Sequence, residues 1–395
     1  MADGVPSYPF PLSDALSPPV EWARLRSDDP VAAVRLPSGD EALLLTRYED
    51  VRRVLSDPRF TRHSADAARV TANEEGGVFG EQLTEEDLHQ RWRGVILRAF
   101  SPKRVDAMRP RIEAMAEELV SDMAKKGSPA DLLAAVGYPL PRWVICDQLG
   151  VPAPDYEKFA HWSDTMLNMT RYTQAEIDTA QAEFGAYFAA HIAAKRGEPG
   201  DDLISEFIRF TDELDDRLSD AILMGTSQGL LVAGYETTAS MIGKMMAMLL
   251  AEPGLWARLH ADPGLVRTAV DEALRFDANP GFGMPRYLSA DVEVADRVLP
   301  AGTTVICSVG AANRDERVFP GADRIDLART PNQHLAFGVG PHVCIGQTLA
   351  KLELQTVLTV LLRRFPTLRL AEPASALAVR EGLVVGGLER VLVRW

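Results

Sequence analysis

Basic residues are in deficit, cysteine is scarce, and no apolar run is long enough to cross a bilayer unbroken. The 395-residue chain has a formal net charge of −14, and such a surface repels phosphate backbones, so nucleic acid is not an expected partner. An odd, sparse set of three cysteines, Cys146, Cys307 and Cys344, excludes a disulfide framework and suits a reducing compartment. The longest apolar stretch, about residues 221–251, is interrupted by Ser227, Gln228, Glu236, Thr237, Thr238 and Lys244. That makes it a poor membrane span. The opening MADGVPSYPF has neither the basic nor the apolar region of a secretory leader, so a cytoplasmic protein is expected. Gly/Ser-rich tracts, long charge blocks and repeats are also missing, which points to one domain over 1–395. With 46% apolar and 25% charged residues, that domain can build a sizeable core.

The order of patterns predicts a mainly α chain with a small β-rich part. VAAVRL and EALLLT flank a Pro-Ser-Gly-Asp turn and predict a β-hairpin over about 31–46. TRYEDVRRVLSDPRF then has helical spacing, with Val51, Val54 and Leu55 on one face and a stop at Pro58. Residues 61–83 lack periodicity and read as a long loop of the kind that often serves function. From about 84 to 280 the pattern is helical, and its longest helix has Ser219 as a candidate N-cap and Pro253 past its end. Being apolar on most faces, that helix should run through the core. Short strands return over about 284–310, a loop-rich region covers 312–343, and a helix runs from Ile345 to about Arg364. The last residues, 380–395, predict a terminal strand pair.

Cys146 and Cys307 sit among apolar residues and read as buried small hydrophobes. Cys344 stands between a glycine-rich loop and a helix start, in HLAFGVGPHVCIGQTLAKLEL. Unpaired backbone N–H groups and the positive end of the helix dipole favour a thiolate there. A thiolate pushes electron density onto an iron bound to it and favours O–O cleavage. Gly338 and Gly340 would let backbone approach a flat macrocycle, and Phe337 would shield the sulfur.

The string FGxGxHxCxG from Phe337 to Gly346 resembles the haem-binding loop of the cytochrome P-450 family. The resemblance implies that family's fold, a triangular helical prism with haem between the long central helix and the cysteine-loop helix. It implies haem b as cofactor and Cys344 as axial ligand of its iron. It also implies a buried Glu-x-x-Arg pair, supplied by Glu272 and Arg275 one helical turn apart. A partner arginine should precede the cysteine. Arg324 is the expected residue, with Asn313–Arg314 as the alternative. On the long helix, Ala233–Gly234–Tyr235–Glu236–Thr237–Thr238 matches the family's signature over the haem. Gly234 would open space through a local helix distortion. Thr237 would donate a hydrogen bond to the reacting oxygen, and Glu236 would relay protons from solvent. The bland alternative is a threonine bonded back to its own helix and a glutamate paired with a surface cation.

Two haem carboxylates need cations. His342, His89, Arg93 and Arg286 match the family's anchors by position. A departure precedes His89, where Glu85–Glu86–Asp87–Leu88 replaces the Asp-Pro-Pro-Glu common in bacterial members, and Tyr235 stands where histidine is frequent. Arg91, Arg98, Lys103 and Lys351 form a candidate basic patch for an acidic ferredoxin. Electrons would reach it from NAD(P)H through a ferredoxin reductase.

The whole chain is similar to actinobacterial members that tailor specialised metabolites, including macrolide oxidases and enzymes acting on tryptophan-derived peptides. Val232, Phe282, Met284 and Val384 are the expected pocket residues, within walls formed by 61–83, 166–172, 230–237, 279–284 and 383–385. The reading is therefore a monomeric, ferredoxin-dependent monooxygenase that hydroxylates or epoxidises a bulky macrolide-like substrate. The alternative is oxidative C–N or C–C coupling of a tryptophan-containing peptide or cyclic dipeptide. A non-catalytic haem sensor is the third reading, disfavoured because binding alone needs no acid–threonine pair.

Overall fold

The structure is a computed structural model in which residues 4–61, 67–70, 86–213, 220–277 and 281–395 are described. The expected loop at 61–83, the Ser219 cap and Asn279 lie wholly or mostly outside them. The N-terminal part runs α1 (Val20–Asp28), β1 (Val31–Arg35), β2 (Glu41–Leu45), α2 (Tyr48–Ser56) and β3 (Phe60–Thr61). Helices then dominate: α3 (Glu86–Ala99), α4 (Pro102–Lys126), and, after the short β4 (Ala130–Asp131), α5 (Pro139–Gln148), α6 (Lys158–Met166), α7 (Gln174–Gly197) and α8 (Leu203–Glu213). The long α9 (Asp220–Ala251) leads to α10 (Leu255–Ala261) and α11 (Val266–Phe276). Strands β5 (Met284–Leu288), β6 (Val292–Val294), β7 (Arg297–Leu299) and β8 (Thr304–Cys307) follow, then α12 (Val309–Ala312). The chain closes with α13 (Gln347–Arg364), β9 (Arg369–Leu370) and β10 (Leu392–Arg394).

The predicted hairpin forms: β1 and β2 pair antiparallel with Val31 opposite Leu45. It is one end of a five-stranded sheet ordered β1-β2-β8-β5-β3, in which β8 joins β2 in parallel and β5 antiparallel. α2 buries Val51, Val54 and Leu55 against it, as the spacing predicts. The larger core is helical and gathers around α9, which buries residues on most of its circumference. Close approach is arranged by glycine: a Cβ on Gly243 would lie 2.7 Å from Leu133 Cδ2. Cys146 and Cys307 are buried and free. Among the described residues no helix is long and apolar enough to cross a membrane.

The tail departs from the predicted strand pair. Only β10 forms, between β4 and β9, while Val379 and Leu388 share a single bridge. The intervening turn is drawn away to the segment after α6: Met169 and Thr170 donate to the Gly382 carbonyl (2.8 and 3.2 Å), and Val384 donates to that of Leu167 (2.8 Å).

Between α12 and α13 the chain has almost no regular structure, and one buried carboxylate organises it. Glu272 and Arg275 lie on one face of α11, both side chains fully buried. The Arg275 Nε and Nη2 donate to the carboxylate at 2.8 Å each. Its Nη1 reaches the carbonyls of Asn313 and Ala322, both at 2.9 Å. Glu272 also accepts from Arg329 Nε (3.0 Å), Asn332 Nδ2 (3.1 Å) and the Asp326 N–H (2.9 Å). The partner arginine is thus Arg329, and Arg324 is corrected: its side chain is exposed and only its carbonyl takes part, accepting from Arg275 at 3.3 Å. The five-residue difference arises because 321–326 turns so that backbone groups face Glu272 before the chain returns with Arg329. Asn313 continues the network, its side chain accepting from the Leu335 N–H at 2.7 Å.

Hydrogen bonds to a buried charge contribute about 1.5–3 kcal/mol each. Arg329→Met should lower unfolding free energy by about that amount, since Glu272 keeps Arg275. Arg324→Met, at an exposed side chain, should stay within about 0.5 kcal/mol. Denaturant unfolding followed by circular dichroism distinguishes them, and equal effects would overturn the reassignment.

Candidate active site

The cysteine loop is built from tight turns. Gly338 (φ +68°) and Gly340 (φ +80°) adopt left-handed conformations that suit glycine. The Gly338 N–H donates to Leu335 (2.8 Å), Val343 to Gly340 (3.1 Å), and Cys344 to the Phe337 carbonyl (2.8 Å). Gly340 is not pressed toward a macrocycle as expected; a Cβ there would meet the Leu55 carbonyl and Ser56 Cα at 2.7 Å. Its role is to let the loop lie against the end of α2. α13 begins at Gln347, two residues later than predicted, because Cys344–Gly346 stay in the loop.

Cys344 is exposed, yet enough protein surrounds it for burial to push its thiol up. Both hold for a side chain lining an enclosed gap. The backbone N–H of Gly346, the Arg93 charge and the N–H of Gln347 act the other way and favour the thiolate. Arg93 is anchored beside the sulfur by donating to the Val343 carbonyl. Phe337 is half-buried, with Lys351 Nζ 5.6 Å from its ring centre. His342 lies on the turn Gly340–His342. His89 lies on α3, but its side chain is outside the described residues.

On α9, Ala233 is exposed and Thr237 partly so, while Leu231, Val232, Tyr235, Glu236 and Thr238 are buried. Positions i and i+4 share a helix face, so an open stripe of small and hydroxyl side chains interrupts the stretch from Leu231 to Leu249, which is otherwise mostly buried. Two expectations about this stretch are corrected. The helix is regular through Gly234, without the local distortion. Gly234 does not open the gap either: a Cβ there would lie 3.0 Å from Ile145 Cγ1, so it permits close packing on α5. Ala233 is the residue that leaves space. The Thr237 hydroxyl donates to the Ala233 carbonyl at 2.5 Å.

Glu236 points elsewhere. Its carboxylate is buried and pairs with Arg380, whose other nitrogen binds Asp164 at 2.7 Å. Burial pushes the Glu236 pKa from 4.5 up to about 7, against the pull of Arg380, with Asp164 adding to the rise and Ser240 opposing it.

The donor set fits a haem. Among the described residues no group of three His, Cys, Asp or Glu could hold a bare metal ion. A single cysteine thiolate such as Cys344 suits an iron already held by a macrocycle. Arg286 supplies an independent sign: it is buried on β5, and among the described residues its Nη1 bonds only its neighbour's carbonyl (Pro285, 2.8 Å) and its Nε meets no partner. A buried cation with a vacant donor is costly unless an anion meets it, and a propionate is such an anion. β5 borders the cysteine loop, since a Cβ on Gly338 would lie 3.7 Å from Met284 Sδ.

The expected pocket residues separate. Met284 and Val384 are partly accessible. Val232 belongs to the helical core, and Phe282 is buried 5.3 Å from the Tyr8 ring, so neither offers an open face. Lys351 is also corrected as a free cation of the basic patch, because Asp271 holds it at 2.8 Å. Arg98 and Lys103 stay exposed, and the Arg91 side chain is outside the described residues. Two residues escaped sequence reasoning, Arg329 and Arg380. The second had a signal: it is a single cation inside the apolar run LAVREGLVVGGL.

A proton held by the folded protein more tightly than by the unfolded chain stabilises the fold at low pH. For Glu236 that contribution is full below about 4.5 and is lost as pH rises to about 7. The stability of the protein minus that of Glu236→Gln should therefore fall across this window and level above it. Denaturation at a series of pH values tests this, and a constant difference would refute the assignment.

A family model described as Cytochrome P450 matches residues 151–374. The chain is 41% identical to mycinamicin IV hydroxylase/epoxidase of Micromonospora griseorubida, covering 98% of each. It is 42% identical to nocardicin C N-oxygenase of Nocardia uniformis subsp. tsuyamanensis, again over 98% of each. Among solved structures, the putative thioether synthase SgvP, involved in a tailoring step of griseoviridin, superposes with a TM-score of 0.94 at 38% identity, covering 99% of this chain and 100% of that one.

Proposed function

The chain belongs to the cytochrome P450 family and is a monooxygenase, and on that premise we propose that it oxidises a bulky specialised metabolite of macrolide type. The observation that carries the reading is the pairing of Cys344, exposed at the end of a glycine-turned loop, with an open Ala233–Thr237 stripe on α9. The similarity to a mycinamicin hydroxylase/epoxidase supports the substrate class. Haem b bound through Cys344 would supply dioxygen activation, with its carboxylates toward Arg286, Arg93, His342 and His89. Electrons would come from NAD(P)H through a ferredoxin reductase and an acidic ferredoxin, for which exposed Arg98 and Lys103 offer positive charge.

The protein's own tasks follow from its side chains. Burial raises the Cys344 thiol, and the N–H of Gly346, the Arg93 charge and the N–H of Gln347 act against it, on the side of the thiolate that an iron would need. Thr237 must turn its hydroxyl from the Ala233 carbonyl to donate into the gap. Glu236, with a pKa near neutrality, can both take and release a proton at Oε1. Met284 and Val384 give the pocket an apolar lining suited to large ligands.

A second reading, oxidative bond formation without oxygen insertion, is favoured by the similarity to a putative thioether synthase. Titrating the ferric protein with macrolides and with tryptophan-containing cyclic dipeptides should shift its Soret band with the correct class. Product mass then separates oxygen gain from hydrogen loss. Thr237→Ala should keep the ligand-induced shift but divert most of the reductant from product, since a positioned proton donor contributes about 10²–10⁴-fold. Unchanged coupling would remove the role given to that hydroxyl.

A further inference from the structure

Arg380 is the meeting point of three parts of the chain. It comes from the turn between Val379 and Leu388, its backbone N–H donating to the Gly387 carbonyl at 2.8 Å. One guanidinium nitrogen reaches Glu236 on α9 and lies 3.2 Å from the Tyr138 hydroxyl, just before α5. The other reaches Asp164 on α6, which also accepts from Tyr172 (3.4 Å). The turn is pressed hard on α9, since a Cβ on Gly387 would lie 2.8 Å from Ser240 Oγ. Its tip is pinned to the segment after α6 by the three backbone bonds that join Gly382 and Val384 to residues 167–170. These two segments, 166–172 and 383–385, are the ones expected to wall the pocket.

We propose that Arg380 is a positioning residue that couples this wall to Glu236. With the wall seated, Arg380 is shared between Asp164 and Glu236, and the carboxylate is held in a pair. When a bulky ligand displaces the wall, the turn and α6 move as one unit through their backbone bonds. Arg380 is drawn off, and Glu236 is free to turn toward Thr237 beside it. Proton supply would then begin only with substrate in place. The inference rests on Glu236 as the proton carrier. The charged and titratable groups facing that carboxylate are Arg380 from the tail, Asp164 from α6 and Tyr138 before α5. Ser240 lies beside them on α9, and the Lys244–Asp277 pair lies one turn further on (3.0 Å).

Coupling of this kind is reciprocal, so it can be tested in the ferric holoprotein without knowing the ligand. Protonating Glu236 should loosen the wall. Amide hydrogen exchange at Met169, Thr170 and Val384, corrected for intrinsic rates, should accelerate about fivefold or more as pH falls through 7. In Glu236→Gln it should be fast and flat. Infrared difference spectra of the Glu236 carboxyl, identified by its loss in that variant, give the other direction. Asp164→Asn removes a like charge and a competitor for Arg380, so the Glu236 midpoint should fall; Arg380→Leu should raise it.

If Arg380→Leu does not fold, Asp164→Asn still decides. Exchange that ignores Glu236, or a midpoint that ignores Asp164, would overturn the latch. If both respond but Glu236→Gln leaves coupling of reductant to product intact, the latch stands and the proton-carrier reading fails.

Discussion

The fold around the sulfur depends on the carboxylate of Glu272, which is wholly enclosed and accepts from Arg275, Arg329, Asn332 and a backbone N–H. An ion of this kind without partners would cost several kcal/mol. Here its donors come from α11 and from a long stretch with almost no ladder hydrogen bonds. The ion therefore acts as the core for a region that cannot build one from apolar side chains. From Arg275 the path runs to the Asn313 carbonyl, from the Asn313 side chain to Leu335, and from Leu335 to Gly338. Six residues further on stands Cys344, so an irregular loop acquires the rigidity that an axial ligand needs.

Much of this was legible in the chain and some was not, for identifiable reasons. Short-range periodicities were reliable: the β1–β2 hairpin, the buried face of α2 and the central burial of α9 follow from local spacing. The cysteine loop was legible because its glycines, cysteine and helix start are adjacent in sequence. What failed was long-range. Arg324 and Arg329 sit in similar polar, irregular contexts, and only the path of the backbone decides which side chain turns inward. The same holds for Gly234 and Gly340, where the need for a small residue was evident but its cause was a neighbouring element, α5 or the end of α2. Val232 and Phe282 are apolar residues near the expected pocket whose side chains joined the core instead.

The two buried ionic networks have similar composition and opposite character. Around Glu272, Arg275 is satisfied by backbone carbonyls that cannot titrate. That arrangement fixes the guanidinium between a carboxylate and two backbone carbonyls and suits a scaffold. Around Arg380, two carboxylates on different elements share one guanidinium, and one of them titrates near neutrality. Two carboxylates that share one cation compete for it, so a change in charge at Glu236 alters how Arg380 is divided between them. Rigidity is thus concentrated on the sulfur side and adjustability on the opposite side. This distribution matches the roles proposed for the two sites: an axial ligand must not move, whereas a proton donor has to be supplied and renewed. The same arginine, Arg380, explains how the Glu236 carboxylate can be buried at all. It supplies the buried carboxylate with a charged partner, while burial and the nearby Asp164 raise its pKa against that pull.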